Sequence, residues 1–225
     1  MTNITNADIK WWEKTVEYKF VRNCTSSSMF LPLDGDPEKM GDTIFSEKNK
    51  FLLIEFKRIA SDFKDEIKKY SNMDKIKQEL NSNYPSTDYH IFIYGENNNN
   101  QLDIAIVPYW DGLDGNYSKK EILSDKNKFN NYVQNYGTKY SNFDKYVRSI
   151  YANKKSSSSE GDNSSGSFGL ENISNCIVIV ENEGKISAIS LGEYAVEQNL
   201  TIKQEQKQAI DENKNSYTRP KKLGR

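Results

Sequence analysis

The apolar residues near the amino terminus repeat at the spacing of a helix. They follow a polar stretch that offers several N-cap residues, and the steps between them are three or four positions. The residues that share this spacing are Ile9, Trp12, Val16 and Phe20. Because one face of an α-helix presents residues at such intervals, the pattern predicts an amphipathic first helix over about residues 7–22.

The next apolar segments are short and predict strands. Met29 to Leu33 is the first of them, and Pro32 would place it at a sheet edge or a bend because proline cannot donate to a strand ladder. Asp42 to Phe45 and Phe51 to Lys57 then lie on either side of a polar connection. Two such segments predict a β-hairpin whose second strand is buried.

Beyond the hairpin, helical and strand spacings alternate again. Apolar residues from Ile59 to Leu80 keep helical spacing, which predicts one long helix packed on the sheet. His90 to Tyr94 and Leu102 to Val107 predict two further strands around an Asn-rich loop. The predicted fold is therefore α/β, with an α-β-β-β-α-β core in which helices flank a central sheet.

The second half of the chain divides into segments of different composition. A Tyr- and Phe-rich stretch between Lys119 and Tyr151 predicts helix with an interruption at Gly137, and its aromatic residues fit a packed core better than a base-stacking surface. The predicted organisation begins with a core and its helical extension over residues 1–153, followed by a flexible Ser/Gly linker over 154–167. Residues 168–202 are predicted to form a β-hairpin and a short helix that could pack on the core, and residues 203–225 a mobile polar tail.

The charge balance limits how this protein could bind nucleic acid. Its formal net charge is −1 and its pI is about 6.0, so the surface as a whole does not attract phosphate. Any nucleic-acid interface must be a local patch. The lysines between Lys64 and Lys77 do not predict one, since acidic residues interleave with them as on a solvated helix face.

The cysteine and histidine content excludes several classes of site. Cys24 and Cys176 are the only cysteines, too few for a disulfide scaffold and without the spacing of a zinc site, which favours a reducing compartment. The amino-terminal sequence lacks the features of a secretory signal and no apolar run could cross a bilayer, so we expect a cytoplasmic protein without membrane contact. His90 is the sole histidine and begins an apolar strand, which fits a structural role and leaves carboxylates for metal chemistry.

The residues that could carry chemistry lie at the end of the buried strand. Residues two apart on a strand share a face, so Glu55 and Lys57 project together while the residue between them points the other way. Charge beside buried surface is costly without a partner, so we expect a metal ion or a reciprocal ion pair there. The competing interpretation is an ordinary surface ion pair at an exposed strand end.

Asp42 joins this pair if the hairpin has the right register. With a four-residue connection over residues 47–50, Ser46 pairs with Phe51 and Asp42 lies opposite Glu55, with Cβ atoms about 5 Å apart. Two ionised carboxylates at that distance repel unless a cation bridges them, and hard oxygen ligands suit Mg²⁺ or Mn²⁺. A register shifted by one residue would turn Asp42 toward the core.

The first helix offers two further carboxylates. Glu13 and Glu17 are four residues apart and therefore share a helix face. Either could reach a cation held by Asp42 and Glu55, and the other would be solvated. The sequence leaves this choice open.

The order of these residues resembles that of a known superfamily. The chain resembles the PD-(D/E)XK, or restriction-endonuclease-like, nucleases in the order of its elements and residues. That order is a helix with Glu13, a strand that opens with Gly41-Asp42, a strand that closes with Ile54-Glu55-Phe56-Lys57, a long helix and a further strand. The stretch Trp12-Glu13-x-x-Val16-x-x-x-Phe20 is similar to the first helix of Mrr-type members. The resemblance extends from Ile9 to Gly95, and Met40-Gly41 stands where the family's proline would be.

The resemblance implies a fold, an activity and residue roles. The fold would be restriction-endonuclease-like with a mixed central sheet. Asp42 and Glu55 would hold one or two Mg²⁺ or Mn²⁺ ions, Glu13 would complete the site with Glu17 as its substitute, and Lys57 would orient or activate the attacking water. The substrate would be DNA, with RNA not excluded, and cutting both strands would favour a homodimer. The family's frequent role in restriction or anti-phage defence makes a larger defence complex a further expected partner.

A second interpretation belongs to a different class of protein. The chain could be a non-catalytic subunit that keeps the nuclease fold and binds nucleic acid or a partner protein through residues 88–151 and the carboxy-terminal hairpin. Metal-dependent cutting of plasmid DNA would separate this interpretation from a nuclease.

Overall fold

A mixed β-sheet with helices on both faces forms the centre of this α/β protein. The structure is a computed structural model that describes residues 10–24, 29–33, 41–154, 177–182, 185–194 and 196–197. Six strands lie side by side, and a hairpin near the carboxy terminus extends the sheet to eight. The prediction of an α/β fold with a helix-flanked mixed sheet is confirmed.

The helices and strands follow one another in an irregular alternation. The helices are α1 (Glu13–Cys24), α2 (Lys64–Ile67), α3 (Met73–Asn83), α4 (Tyr109–Leu113), α5 (Lys126–Tyr136) and α6 (Tyr140–Asn153), with a 3₁₀ turn at Ala60–Phe63 and helical residues at 191–194 and 196–197. The strands are β1 (Met29–Pro32), β2 (Thr43–Glu47), β3 (Lys50–Lys57), β4 (His90–Asn98), β5 (Gln101–Pro108), β6 (Glu121–Ile122), β7 (Ile177–Asn182) and β8 (Lys185–Ser190). Within the described ranges, no helix has the length and apolar character needed to cross a lipid bilayer.

The order of the strands places β3 and β4 side by side in the interior of the sheet. The full order is β6-β5-β4-β3-β2-β1-β7-β8. β3 and β4 run parallel, and every other neighbouring pair is antiparallel. A parallel pair needs a crossover rather than a tight turn, and α2 and α3 lie in that crossover. The carboxyl ends of β3 and β4 therefore lie at the same end of the sheet.

Opposite faces of β3 pack against different helices. Phe56 contacts Phe20 of α1, with ring centroids 5.6 Å apart, and Phe20 packs edge-on against Phe129 of α5 at 4.8 Å. On the other face, the ring of Phe51 lies 5.5 Å from that of Phe143 in α6. All but the first residue of β3 are buried as a result, so both sides of this strand are covered.

The β2–β3 hairpin has the predicted register with a shorter turn. Ser46 pairs with Phe51 as predicted, but the next residues on each strand pair as well, so the turn has two residues rather than four. Lys48 and Asn49 adopt φ values of 49° and 59°. Two consecutive positive φ values are typical of a type I′ turn, whose twist matches that of the flanking strands.

The first helix begins later than the amphipathic pattern predicted. Its first residue is Glu13 rather than residue 7, and residues 1–9 lie outside the described ranges. Val16 and Phe20 are buried as predicted, whereas Trp12 is 78% exposed. Trp12 precedes the helix, so helical spacing does not determine where its side chain lies.

The long helix predicted after β3 is broken in the structure. A 3₁₀ turn leads into α2, which ends at Ile67, and α3 starts only at Met73. Asn72 caps α3 through its side chain, which accepts a hydrogen bond from the Lys75 amide. Short polar residues favour caps over helix interiors because their side chains compete for backbone hydrogen bonds. Apolar spacing alone does not reveal such a break.

The segment before residue 154 agrees with the prediction in part. Gly137 interrupts the helical stretch as predicted, because α5 ends before it and α6 starts after it. The sequence pattern did not predict α4, and residues 119–125 contain the short strand β6 rather than helix. Lys154, which the prediction assigned to the flexible linker, is buried and forms an isolated β-bridge with Tyr70. The core therefore extends at least to Lys154.

The carboxy-terminal hairpin belongs to the same sheet. Met29 and Phe30 of β1 pair with β7, so the edge position, one of the two alternatives that Pro32 suggested beside a bend, is wrong for these residues. Pro32 lies at the end of β1, beyond the residues that pair with β7. The predicted linker after Lys154 and the predicted tail lie outside the described residues.

Candidate functional site

Glu55 and Lys57 form a buried ion pair at the carboxyl end of β3. Lys57 Nζ lies 2.6 Å from Glu55 Oε1, and the two side chains are 10% and 0% exposed. This burial excludes an ordinary surface ion pair. The shared face follows from the two-residue repeat of a strand, as predicted.

Asp42 approaches the same place from the start of β2. The register of the β2–β3 ladder, continued by one residue, brings Asp42 opposite Glu55. Asp42 Oδ2 accepts a hydrogen bond of 2.6 Å from the amide of Phe56, the residue between Glu55 and Lys57. The structure therefore brings these three predicted site residues together at one end of the central strands.

Gly41 allows the close approach of the chain to β3. A Cβ at this position would lie 2.9 Å from Leu53 Cδ1 and 3.1 Å from the carbonyl oxygen of Ile54. Any side chain would therefore push against the neighbouring strand. This contact gives a steric reason for glycine where the family pattern has proline.

The Asp42 carboxyl is poorly solvated and faces like charge. Desolvation raises the pKa of Asp42 to about 8, and the Glu55 carboxylate acts in the same direction. The charge of Lys57 and the hydrogen bond from Phe56 oppose this shift without cancelling it. Another positive charge next to Asp42 would favour its ionised form.

Of the two carboxylates in α1, Glu13 is the one coupled to this site. Glu13 is exposed on the first turn, but desolvation raises its pKa, Lys57 lowers it and Glu55 raises it. Glu17 instead pairs with Lys14 at 2.6 Å. Glu13 is therefore the carboxylate of α1 whose pKa responds to Glu55 and Lys57.

Glu66 of α2 is a buried carboxylate that the sequence reasoning missed. Its Oε1 lies 3.0 Å from Lys57 Nζ and 2.7 Å from Lys69 Nζ. Lys69 also contacts Glu55 Oε1 at 3.2 Å. The alternating charges of this segment predicted a solvated helix face, which is wrong for Glu66; Lys69 is exposed as predicted, and its ammonium group pairs with both buried glutamates.

The sequence did contain a signal for Glu66. This residue stands three positions after Phe63 and four before Tyr70, and all three side chains are buried. Glu66 therefore lies on the apolar stripe of its segment. A charged residue on such a stripe needs a partner, and Lys69, three positions later, is a candidate within helical reach.

Lys154 joins the network from the end of α6. Its Nζ lies 3.8 Å from Glu66 Oε2 and over the rings of Tyr70 and Tyr109, at 5.5 and 6.0 Å from their centroids. Burial lowers the pKa of Lys154, against the opposing effects of Glu55 and Glu66. Lysines from three separate segments therefore approach the buried glutamates.

The two buried glutamates differ in their preferred charge. Desolvation raises the pKa of Glu55, but Lys57 and the other lysines outweigh it, so the net shift is downward. Desolvation and the Glu55 charge together raise the pKa of Glu66. Glu55 Oε2 has no hydrogen-bond donor among the described residues. A proton on Glu66 would supply one, because the two carboxyl groups lie within hydrogen-bonding reach.

The donor set fits a divalent cation through two carboxylates. Asp42 and Glu55 offer the oxygen ligands that Mg²⁺ and Mn²⁺ prefer, and Glu55 Oε2 is a buried oxygen without a donor in the described ranges. The described part of the chain contains no group of three or more His, Cys, Asp or Glu side chains that could hold a metal ion. In this arrangement Glu13 is therefore not a third ligand, and a cation would contact the Asp42–Glu55 pair.

Comparison with known proteins adds no relative to this picture. No protein-family model, no curated protein and no solved structure matches the chain. The resemblance to PD-(D/E)XK nucleases therefore depends on the residues and the element order alone.

His90 lies outside the site and makes contacts that agree with a structural role. Its ring stacks on Tyr109 with centroids 3.8 Å apart, and Nδ1 lies 2.7 Å from the Tyr146 hydroxyl. Burial lowers the pKa of His90 well below its ordinary value, so the ring is neutral. Tyr132 and Tyr146 of the helical stretch are buried, as their assignment to the core predicted.

Proposed function

We propose that this protein is a divalent-metal-dependent nuclease of the PD-(D/E)XK type that hydrolyses phosphodiester bonds in DNA. The observation that carries the proposal is the hydrogen bond from the Phe56 amide to Asp42 Oδ2, because it fixes the Asp42 carboxyl beside Glu55 and Lys57. The superfamily pattern has two acidic residues and a lysine in this order. A helix, three strands, a helical crossover and a parallel fourth strand support the same proposal.

Asp42 and Glu55 are the residues that would hold the cation, and Glu13 of α1 would act on them through its charge rather than as a third ligand. A bound Mg²⁺ or Mn²⁺ would lower the pKa of a water molecule and neutralise charge on the scissile phosphate. Asp42 must lose its proton to act as a ligand, since its pKa is raised to about 8. The affinity for the cation should therefore increase with pH.

Lys57 is suited to act as a charged donor rather than as a base. Desolvation lowers its pKa, but Glu55 and Glu66 outweigh that effect and the net shift is upward, so the ammonium stays protonated at neutral pH. Such a group can donate a hydrogen bond to the attacking water or to a phosphate oxygen and stabilise the negative charge of the transition state. Contacts of 2.6 and 3.0 Å to the two glutamates hold the ammonium in place.

A non-catalytic function has two observations in its favour. Lys57 and Lys69 neutralise Glu55 from within the protein, and the described residues contain no metal-binding group of three ligands. A chain that kept this ion network and lost cleavage would be a nucleic-acid- or protein-binding subunit. This alternative predicts binding without cutting.

Cleavage of supercoiled plasmid DNA tests the proposal. The wild-type protein should cut in Mg²⁺ or Mn²⁺ and should not cut in EDTA. The substitutions Asp42→Asn, Glu55→Gln and Lys57→Met should each lower the rate by about a hundredfold or more, because each removes a charge from the reaction centre.

Glu17→Gln is the matched control for these variants. It removes a carboxylate from the helix that carries Glu13, but this carboxylate pairs with Lys14. Glu17→Gln should cut at the wild-type rate, whereas Glu13→Gln should cut more slowly. Circular dichroism of each variant checks that it is folded. Plasmid that stays intact with folded wild-type protein in Mg²⁺ and in Mn²⁺ would favour the binding subunit.

A further inference from the structure

The β4–β5 hairpin continues beyond the rest of the sheet. Its ladder runs without interruption to the pair formed by Asn98 and Gln101. β3 pairs with β4 only up to Tyr94, and β6 pairs with β5 only as far as Ala105. The Gly95 amide still donates to the Arg58 carbonyl, and the Ile104 carbonyl still accepts from the Leu123 amide. Residues 96–103 therefore form a two-stranded ribbon, which has no neighbouring strand in the part of the chain that the structure describes.

The ribbon projects from the end of the sheet that carries the candidate site. β3 and β4 are parallel, and Glu55 and Lys57 pair in register with Phe92 and Tyr94. The chain that continues after Tyr94 therefore runs past the site. Gly95 is buried and Glu96 half-buried, whereas residues 97–101 are exposed, so Asn97 and Asn98, at about 3.3 Å each, carry the turn about 7 Å beyond the covered part of the sheet. The major groove of B-DNA is about 8.5 Å deep, so the turn would enter the groove and its side chains would extend to the base edges.

Several contacts brace the base of the ribbon. The indole of Trp11 lies against Gly95, where an added Cβ would be 2.3 Å from Nε1. Lys120 pairs with Glu96 at 2.7 Å, and Lys19 of α1 donates to a backbone carbonyl of β5. A braced ribbon keeps its direction and has little conformational entropy to lose on binding.

The tip of the ribbon carries amide side chains and no charge. Residues 97–101 read Asn-Asn-Asn-Asn-Gln and are all exposed. Asn99 and Asn100 adopt φ values of 49° and 63°, which asparagine tolerates in a type I′ turn. Within the described ranges, the side chains of Asn99, Asn100 and Gln101 make no hydrogen bond, so their amides are available to a partner.

We infer that the ribbon enters the major groove of duplex DNA and reads adenine through the amides of Asn99, Asn100 and Gln101. The major groove admits a two-stranded β-ribbon, and Asn and Gln side chains form paired hydrogen bonds with adenine N6 and N7. This inference rests on the proposed function, because it names the form of DNA that the nuclease would take.

The shape of the ribbon and the residues at its tip favour duplex DNA over other nucleic acids. The major groove of A-form RNA is too deep and narrow for side chains to read, and single strands are bound through stacked aromatic residues, which the tip lacks. Both carboxylates of the ribbon are engaged within the protein, Glu96 by Lys120 and Asp103 by the Asn98 amide at 2.8 Å. The charge of Lys120 offsets that of Glu96 and so reduces repulsion of phosphate by the ribbon.

Selection from a randomised duplex DNA library tests the inference. The full chain is incubated with the library in EDTA, and the bound duplexes are recovered and sequenced. Affinity is then compared for the selected duplex, a scrambled duplex and an RNA duplex of the same sequence. The wild type should enrich adenine at fixed positions and should bind the selected duplex at least about tenfold more tightly than the other two, because paired amide–adenine bonds discriminate against other bases.

A variant of the tip removes the amides and keeps the ribbon. In Asn99→Gly, Asn100→Gly, Gln101→Thr, glycine accepts the positive φ values and threonine favours a strand. This variant should lose the adenine enrichment and about tenfold in affinity for the selected duplex. The matched control Gln134→Ala, Asn135→Ala removes exposed amides from α5 and should change neither property.

Four results would overturn the inference. They are no binding of duplex DNA, binding without sequence preference, equal binding of the RNA duplex, and adenine enrichment that persists in the tip variant. Because the selection is done in EDTA, it does not depend on cleavage. A chain that reads adenine but never cuts plasmid refutes the proposed nuclease alone, and a chain that cuts without ribbon-dependent preference refutes this inference alone.

Discussion

The two halves of β3 are equally buried but are stabilised in different ways. In the first half, the Phe51 ring packs among other aromatic rings, with centroids 5.4 Å from Tyr140, 5.5 Å from Phe143 and 6.3 Å from Tyr194. In the second half, Glu55 is as buried as Phe51 but depends on ion pairs with lysines. The strand therefore changes from apolar packing to charge pairing within a few residues.

This difference shows what each half requires from the rest of the fold. Apolar side chains gain from burial itself, whereas buried charges are tolerated only when they are paired. In β3 that pairing involves Glu66, Lys69 and Lys154 from other segments. Natural proteins retain such costly arrangements mainly at functional sites, which is why the second half of β3 is the better candidate for chemistry.

Truncation in the apolar half should have the largest effect on stability. Phe51→Ala removes a fully buried ring and leaves a cavity, so the free energy of unfolding should fall by about 3–5 kcal/mol. Urea denaturation monitored by circular dichroism measures the change. A loss below about 1 kcal/mol would show that this half of β3 is not closely packed.

Removal of a charge in the second half should cost somewhat less. Glu55→Gln keeps the shape of the side chain but leaves Lys57 and Lys69 without their shared carboxylate, so we expect a loss of about 3 kcal/mol in the free energy of unfolding. In the background of Glu55→Gln, Lys57→Met should cost less than it does in the wild type, because the ion pair is already broken. Strictly additive losses in urea denaturation would contradict the pairing.

Asp42 should make the metal-free protein less stable as the pH rises. Its pKa of about 8 in the folded state exceeds the ordinary value of 3.8, so between these values the folded state keeps a proton that the unfolded state has released. The free energy of unfolding should therefore decrease from about pH 4 to about pH 8. The raised pKa values of Glu13 and Glu66 also make the free energy of unfolding decrease with pH. The contribution of Asp42 is therefore the part of this decrease that is present in the wild type and absent in Asp42→Asn.

Denaturation in EDTA at about pH 5 and about pH 8 measures this difference. The decrease in stability should be smaller in Asp42→Asn than in the wild type. Equal decreases in the two proteins would show that the Asp42 carboxyl is as well solvated in the folded chain as in the unfolded chain.

The Lys14–Glu17 pair in α1, whose side chains are 65% and 18% exposed, should show the smallest effect. Glu17→Gln breaks the contact with Lys14, whose side chain is 65% exposed, so the change in unfolding free energy should be below about 0.5 kcal/mol. Thermal unfolding at low salt is the suitable measurement. A loss as large as that of Glu55→Gln would remove the contrast between buried and exposed ion pairs.

Features that depend on local periodicity could be predicted from the sequence. The common face of Glu55 and Lys57 follows from the strand repeat, and the Ser46–Phe51 pairing follows from the need to bury one side of the hairpin. The turn was predicted two residues too long, because Lys48-Asn49 lacks the glycine that usually marks a type I′ turn.

Features that depend on distant contacts could not be predicted in this way. Lys154 reaches the site only because α6 ends beside Tyr70. Trp12 shows the opposite error, since it fits the helical spacing but precedes the helix. Apolar periodicity constrains the faces of an element, whereas its ends and its neighbours depend on capping and tertiary packing.

Anomalous diffraction from a crystal soaked in Mn²⁺ is the most direct test of a metal-dependent site. We predict a strong manganese peak at about 2.0–2.6 Å from carboxylate oxygens of both Asp42 and Glu55. The peak should be absent from crystals of Asp42→Asn and present in crystals of Glu17→Gln. Wild-type crystals that bind no manganese there, with Lys57 still paired to Glu55, would contradict the nuclease assignment.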